Sequence, residues 1–128
     1  MLQKQSRLSV IDNTGALSIQ IFHMYQGFFR KTTGVNFYVR VCAKAVKTPR
    51  VEYKGYKHKP ILKGFVNRAL IVRSRFRATF LDTSSVLFKD NAAFILKRKN
   101  QPRSAHFSGP ISKKFDRRNF IHLFDDIV

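Results

Sequence analysis

Between Val35 and Ala45 every second residue is apolar. Val35, Phe37, Val39, Val41, Ala43 and Ala45 alternate with Asn36, Tyr38, Arg40, Cys42 and Lys44. A helix would scatter these residues around its circumference, whereas a strand sends them to opposite faces of a sheet. One face therefore packs inward, and the other offers a cation or a hydroxyl to solvent or a partner. A strand this long needs neighbours on both edges, and the rest of the chain supplies them.

Residues 7–11 alternate with Leu8 and Val10 on one face, and Asp12-Asn13-Thr14-Gly15 follows as a turn. Gly tolerates positive φ there, and Asp or Asn hydrogen-bonds its own backbone. Leu17, Ile19, Ile21 and His23 then alternate with Ser18, Gln20 and Phe22, completing a hairpin. Gly27 to Gly34 is a loop carrying Arg30-Lys31, and Pro49 ends the long strand. Ala69-Leu-Ile-Val72 is continuously apolar, the pattern of a strand covered on both sides. Asp82-Thr-Ser-Ser85 and Asp90-Asn91 are turns leading to Val86–Phe88 and Ala92–Leu96. Ser112 has the character of a helix N-cap, so short helices are expected over 112–124, with Phe115, Phe120, Leu123 and Phe124 on their buried side. The expected fold is mainly β: a small five-stranded β-barrel with a projecting ribbon or loop and short C-terminal helices, residues 1–128 forming one domain.

The charge is as restrictive as the pattern. Twenty-five Lys and Arg face 7 Asp and Glu, a net charge of +18. Self-repulsion on that scale is relieved by a polyanion, and nucleic acid is the first candidate, since each neutralised phosphate releases a counterion. An anionic membrane surface comes second. No apolar run reaches the roughly 18–20 residues of a membrane-spanning helix, so no span is expected. The single Cys42 excludes an intrachain disulfide and reads as a small half-buried side chain. Neither a secretory h-region nor an Arg/Ser-rich leader opens the sequence, so an organellar protein would be made in place or be given in mature form.

The acidic residues are Asp12, Glu52, Asp82, Asp90, Asp116, Asp125 and Asp126. They fall mostly in turns or near the C-terminus, and His23, His58, His106 and His122 share no metal-ligand spacing. No phosphate-binding loop, dinucleotide fingerprint or nucleophile elbow occurs. Neither an enzyme nor a bound cofactor is expected, and a basic RNA-modifying enzyme is disfavoured for want of an acid/base pair. Cations interleaved with aromatics are present instead, in Arg50-Val-Glu-Tyr53-Lys54-Gly-Tyr56-Lys57-His58-Lys59. Lys and Arg follow phosphates, and Tyr stacks on unpaired bases or bonds a ribose. The basic loop 47–63 thus contributes Lys47, Arg50, Lys54, Lys57, Lys59 and Lys63 as RNA-contact candidates. Lys44 joins them from the polar face of the long strand. Arg73, Arg75 and Arg77 recur with period 2, as one strand face, and Lys97-Arg98-Lys99 closes another strand with charge. Phe28-Phe29 reads as a core plug or a protein contact rather than a stacking platform.

Leu8-Ser-Val-Ile-Asp-Asn-Thr-Gly-Ala16, preceded by Met1-Leu-Gln, resembles the opening of the universal large-subunit ribosomal protein fourteen family, Met-Ile-Gln and then Leu-x-Val-x-Asp-Asn-Ser/Thr-Gly-Ala. The resemblance continues in order. Thr33-Gly-Val35 is similar to the family's Gly-Val, and Leu62–Arg75 to its Lys-Gly-Asp strand ending in Val-Val-Arg-Thr-Lys. Phe88-Lys-Asp-Asn-Ala-Ala-Phe-Ile-Leu96 resembles Phe-Asp-Gly-Asn-Ala-Cys-Val-Leu-Leu, and Gly109-Pro110-Ile111 resembles Gly-Pro-Val. What it implies is a structural protein of the large ribosomal subunit. Such a protein binds large-subunit rRNA at the intersubunit face, lies beside large-subunit protein nineteen, and bridges to small-subunit rRNA. By position, Asn13, Thr14, Gly15, Arg30, Lys31, Lys63, Arg73 and Arg75 carry over as rRNA contacts or the turns presenting them.

The departures are specific. The family's Gly-Asp is Asn36-Phe37 here, its Lys-Gly-Asp is Lys63-Gly64-Phe65, and its Asp-Gly-Asn is Lys89-Asp90-Asn91. Ala105-His106 replaces a Thr-Arg pair used by a ribosome-silencing factor, which puts that partner in question. Thirteen Phe, six Gly and a long aromatic 47–62 segment suit a mitochondrial ribosome better than a bacterial or plastid one. The competing reading is a free-standing basic β-barrel that binds single-stranded nucleic acid. It needs aromatics along one exposed strand face, and Phe37, Phe76 and Phe80 share faces with Val or Ala and so read as core.

Overall fold

A computed structural model describes residues 1–25, 27, 29–48 and 61–128. Five strands close a barrel: β2 (Arg7–Val10), β3 (Ala16–Met24), β5 (Tyr38–Val46), β6 (Val66–Arg73) and β9 (Ala92–Leu96). Neighbours pair antiparallel around the ring until β9 meets β2 in parallel, Ser9 opposite Ala92 and Val10 opposite Ala93. Closure leaves none of these five strands with an open edge. Two small ribbons stand beside it: β1 (Leu2–Gln3) with β4 (Thr32–Thr33), and the hairpin of β7 (Ala78–Thr79) and β8 (Ser85–Val86).

The barrel is filled by alternate residues of every strand, among them Leu8, Ile19, Ile21, Val39, Val41, Ala43, Ile71 and Ile95. Removing each large aliphatic from water stabilises the fold by roughly 1.5–3 kcal/mol. The intervening residues of β6 and β9 are buried as well, because the chain after residue 106 folds back over their outer face. Leu70, Val72, Ala92, Phe94 and Leu96 pack there against Ile111, Phe115, Phe120 and Phe124. The continuous apolar runs Ala69–Val72 and Ala92–Leu96 are thus strands with a core on each side. Five of the phenylalanines meet in this second core. Phe94 lies 4.8 Å from Phe107 and 5.3 Å from Phe120, while Phe107 stacks on Phe124 at 5.2 Å.

Several local expectations need correction. The short C-terminal helix is present as the four-residue α1 (Arg118–Ile121), and the other helical element among the described residues is a 3-10 turn at Arg98–Asn100. Ser112 caps no helix: its buried Oγ accepts the Lys114 N–H at 3.2 Å in a local turn. The segment is held by packing and by a backbone pairing of Ile111 with Asp126 and Val128. In β3 the alternation holds only in the middle. Ile19 and Ile21 point inward, but Leu17 and His23 point outward and Ala16 and Met24 take the inner positions. Register shifts against β5 at Ala16/Ser18 and Ile21/His23 insert the odd residues that reverse the faces. A further shift between Ser18 and Ile19 inserts Lys44 into β5, next to the exposed Ala45. Phe76 is no core residue, being 61% exposed in a bend, and Phe37 and Phe80 are half-buried. Cys42 is half-buried as expected. No helix among the described residues is long and apolar enough to cross a membrane.

Candidate nucleic-acid interface

The Asp12–Gly15 turn is tied into the barrel by its first residue. Asp12 is buried, its Oδ2 accepting the Ile95 N–H of β9 at 2.9 Å and its Oδ1 accepting the Thr14 hydroxyl at 2.6 Å. Burial raises the Asp12 pKa above its ordinary value, and the hydrogen bonds from Thr14 and Ile95 oppose that rise without cancelling it. Gly15 takes φ +94°, a conformation costly for any side chain bearing a Cβ. Its carbonyl accepts the Lys47 N–H at 2.7 Å, and the Thr14 carbonyl accepts the Ile61 N–H at 3.5 Å. The turn therefore grips both ends of the basic 47–63 segment. Arg50, Lys54, Lys57 and Lys59 lie outside the described residues. Asn13 is exposed at the turn's tip, at the edge of a groove of about 300 Å³ shared with Leu17, Lys47 and His106.

The remaining cations are spread over the barrel. Lys44 is exposed on the outer face of β5, and Lys63 is exposed in the turn whose Gly64 N–H donates to the Ala43 carbonyl. Lys97, Arg98 and Lys99 project from the turn after β9, exposed throughout. Lys31 is exposed, whereas Arg30 donates to the Thr32 carbonyl at 3.0 Å and lies over the Phe37 ring at 4.3 Å. Phe29 is 88% exposed, so it plugs no core; Phe28 lies outside the described residues.

Arg73, Arg75 and Arg77 do not form the single strand face their spacing predicts. β6 ends at Arg73, where Ser74 Oγ accepts the Phe76 N–H and Asn91 Oδ1 accepts the Arg75 N–H, bending the chain away from the sheet. Arg73 is largely covered and pairs with Asp90 at 3.1 Å, while Arg75 Nε donates to the Lys89 carbonyl at 2.6 Å. Arg77 is exposed. The three have separate surroundings.

Two cations that the sequence did not single out stand opposite each other on the outer wall. Arg40 of β5 is in register with Arg68 of β6 and, on its other side, with His23 of β3. Arg68 Nη1 donates to Asn100 Oδ1 at 2.6 Å, and its guanidinium lies 5.0 Å from the centre of the Tyr25 ring. Period 2 had already put Arg40 on the outward face. Its meeting with Arg68 depends on strand register, which no local pattern encodes.

This barrel, with its clamped Asp-Asn-Thr-Gly turn and its basic wall, coincides with a family match over nearly the whole chain: the model for ribosomal protein L14p/L23e covers residues 1–125. The chain belongs to the ribosomal protein L14p/L23e family. It is accordingly a structural protein of the large ribosomal subunit and not an enzyme, working at the ribosome with rRNA and ribosomal proteins as partners. Its departures from the L14p/L23e pattern have local reasons. Asn36, standing where that pattern has Gly, takes φ +75°, and Asn is the non-glycine residue that best tolerates this region. Its side chain accepts the Asp116 N–H at 2.9 Å and donates to the Lys114 carbonyl at 2.8 Å, so the exchange also fastens the C-terminal segment. Asp90, again at a Gly of the pattern, supplies the counter-charge to Arg73. Gly109 of the retained Gly-Pro has φ +86°, and a Cβ there would collide with the Arg73 guanidinium.

Proposed function

We propose that this L14p/L23e chain binds large-subunit rRNA at the intersubunit face and takes part in a bridge to small-subunit rRNA, with residues 1–128 acting as one domain. The observation that carries the reading is the distribution of charge. Cations at Lys44, Lys63 and Lys97–Lys99 project from a rigid barrel, while Asp12 is consumed by the backbone, Asp90 by Arg73 and Asp82 by Ser84. Fixed cations of this kind neutralise phosphates and recognise shape without reading bases. Asn13, Thr14 and Gly15 then act as a rigid turn that presents the basic segment, with Lys47, Arg50, Lys54, Lys57 and Lys59 as its phosphate contacts. Arg30, Lys31, Arg75 and Arg77 serve as peripheral contacts, and Arg73 acts from behind by fixing the bend that carries Arg75.

The groove beside Asn13 and His106 supports a protein neighbour on that side, with large-subunit protein nineteen the candidate from the family resemblance. His106 stands at its rim where a Thr-Arg pair serves the silencing factor, so binding of that factor is not part of the reading. A mitochondrial ribosome is favoured by the phenylalanine-rich, glycine-poor composition. The test is fractionation of organelle and cell ribosomes on sucrose gradients, followed by quantitation of the chain. It should co-sediment with mitochondrial large subunits and leave them only at high salt. Recovery solely in the post-ribosomal supernatant refutes the reading, and recovery with another ribosome refutes the mitochondrial part.

A further inference from the structure

The pairing of Arg40 with Arg68 is unusual for a sheet surface. Residues in register on neighbouring antiparallel strands hold their Cβ atoms about 4.5–5.5 Å apart, and like charges so placed destabilise the pair. Among the described residues no carboxylate relieves them: the other register neighbours are His23 and Leu96. Arg40 is exposed and has no hydrogen-bond or ion-pair partner among the described residues. Arg68, by contrast, is held in place. Asn100 Oδ1 takes its Nη1, and the Tyr25 ring lies beneath its guanidinium with the hydroxyl 3.4 Å from Nε. Asn100 reaches it from a strained turn in which both Lys99 (φ 59°) and Asn100 (φ 55°) are left-handed. The aromatic support is fixed in turn by an edge contact of His23 on Tyr25, ring centres 5.3 Å apart.

We propose that Arg40 and Arg68 together clamp one backbone phosphate of the RNA strand that crosses the outer wall of β5 and β6. This rests on the reading of the chain as an rRNA-binding protein and adds a site to it. A phosphodiester offers two oxygens to two guanidinium forks and cancels the repulsion that the bare protein carries. The surroundings favour a polyanion over a single carboxylate of a protein neighbour. Lys44 lies four residues along the same strand face, about 13 Å away at the rise of a β-strand, and Arg98 and Lys99 immediately precede Asn100. Tyr25 and Asn100 are positioning residues acting through Arg68.

The experiment compares the full chain with Arg40→Gln, Arg68→Gln, the double variant, and Arg7→Gln as an exposed control on β2. Each is titrated with transcribed large-subunit rRNA of its own ribosome over a range of salt. Each single clamp variant is expected to lose about ten-fold in affinity. The double variant should lose less than the product of the two, because both side chains grip one phosphate. The slope of log affinity against log salt should fall by about one for the double variant. Without RNA, Arg40→Gln should melt at the same temperature as the wild type or higher in low salt, since it removes the repulsion and leaves the Asn100 and Tyr25 contacts of Arg68 in place. Wild-type binding with a steep salt slope that the double variant leaves unchanged overturns the clamp alone, and so do losses that multiply. A lowered melting temperature with unchanged RNA affinity assigns the pair a folding role and also overturns it. Absence of salt-dependent rRNA binding by the wild type overturns the underlying reading and the clamp with it.

Discussion

Asp12 offers the sharpest test of how the fold presents its basic segment. Its carboxylate is the acceptor for the Ile95 N–H, in a strand residue that is fully buried. Asp12→Ala leaves that N–H without a partner, at a cost of about 1–3 kcal/mol, while the part-buried Thr14 hydroxyl turns to solvent. For a chain of this size each kcal/mol lowers the melting temperature by about 2–8 °C. Asp12→Asn retains an oxygen for Ile95, and its amide group donates to the Thr14 hydroxyl instead of accepting from it. It should therefore stay within about 1 kcal/mol of the wild type at neutral pH.

The pH dependence separates burial from hydrogen bonding as the dominant influence on Asp12. Its folded pKa is raised above 3.8, chiefly by desolvation, so the native state holds the proton more tightly than the unfolded chain. The resulting stabilisation is fully present below 3.8 and is lost as pH rises through the folded value. Wild type should gain on Asp12→Asn as pH falls from 7 towards 4. Urea unfolding at fixed moderate salt, which screens the +18 charge, measures that difference. An Asp12→Ala variant as stable as wild type refutes the clamp. A wild type that loses ground on acidification shows that the hydrogen bonds outweigh burial and refutes the pH argument.

Substitutions at Gly109 and Asn36 probe the packing around the turns. Gly109→Ala should destabilise by at least about 1 kcal/mol, combining a left-handed alanine with displacement of Arg73 from Asp90, and the loss should shrink in an Arg73→Ala background. Additive losses in the thermal melts would contradict that coupling. Asn36→Gly keeps the φ +75° backbone and removes only the two side-chain bonds to residues 114 and 116, so it should loosen the C-terminal segment in hydrogen exchange while Asn36→Ala costs more overall. Equal effects of the two would show that backbone conformation contributes nothing at this position.

The strands were legible because their signal is local. Val39, Val41 and Ala43 inward against Arg40 and Lys44 outward is a period-2 pattern, and the continuously apolar Ala69–Val72 announced a strand with two covered faces. The Asp-Asn-Thr-Gly turn was equally plain, since its residues carry their own conformational preferences. Where the reading failed, long-range contacts had overruled a local one. Bulges against β5 reversed the ends of β3, and a side-chain bond from Asn91 bent the arginine row after Arg73.

By itself the sequence determined that this chain folds as a small, strongly basic β-barrel without catalytic machinery, and its ordered motifs pointed to the family. Alternation, turn residues and charge balance are properties of neighbouring residues and survive without a fold. Only the tertiary structure decided which cations remain available and which are used internally. Arg73 is absorbed by Asp90 from a distant turn, and Arg40 meets Arg68 through the register of two strands. Register is set by barrel closure and by packing on both sheet faces, so the composition of the basic surface follows from contacts far apart in the chain.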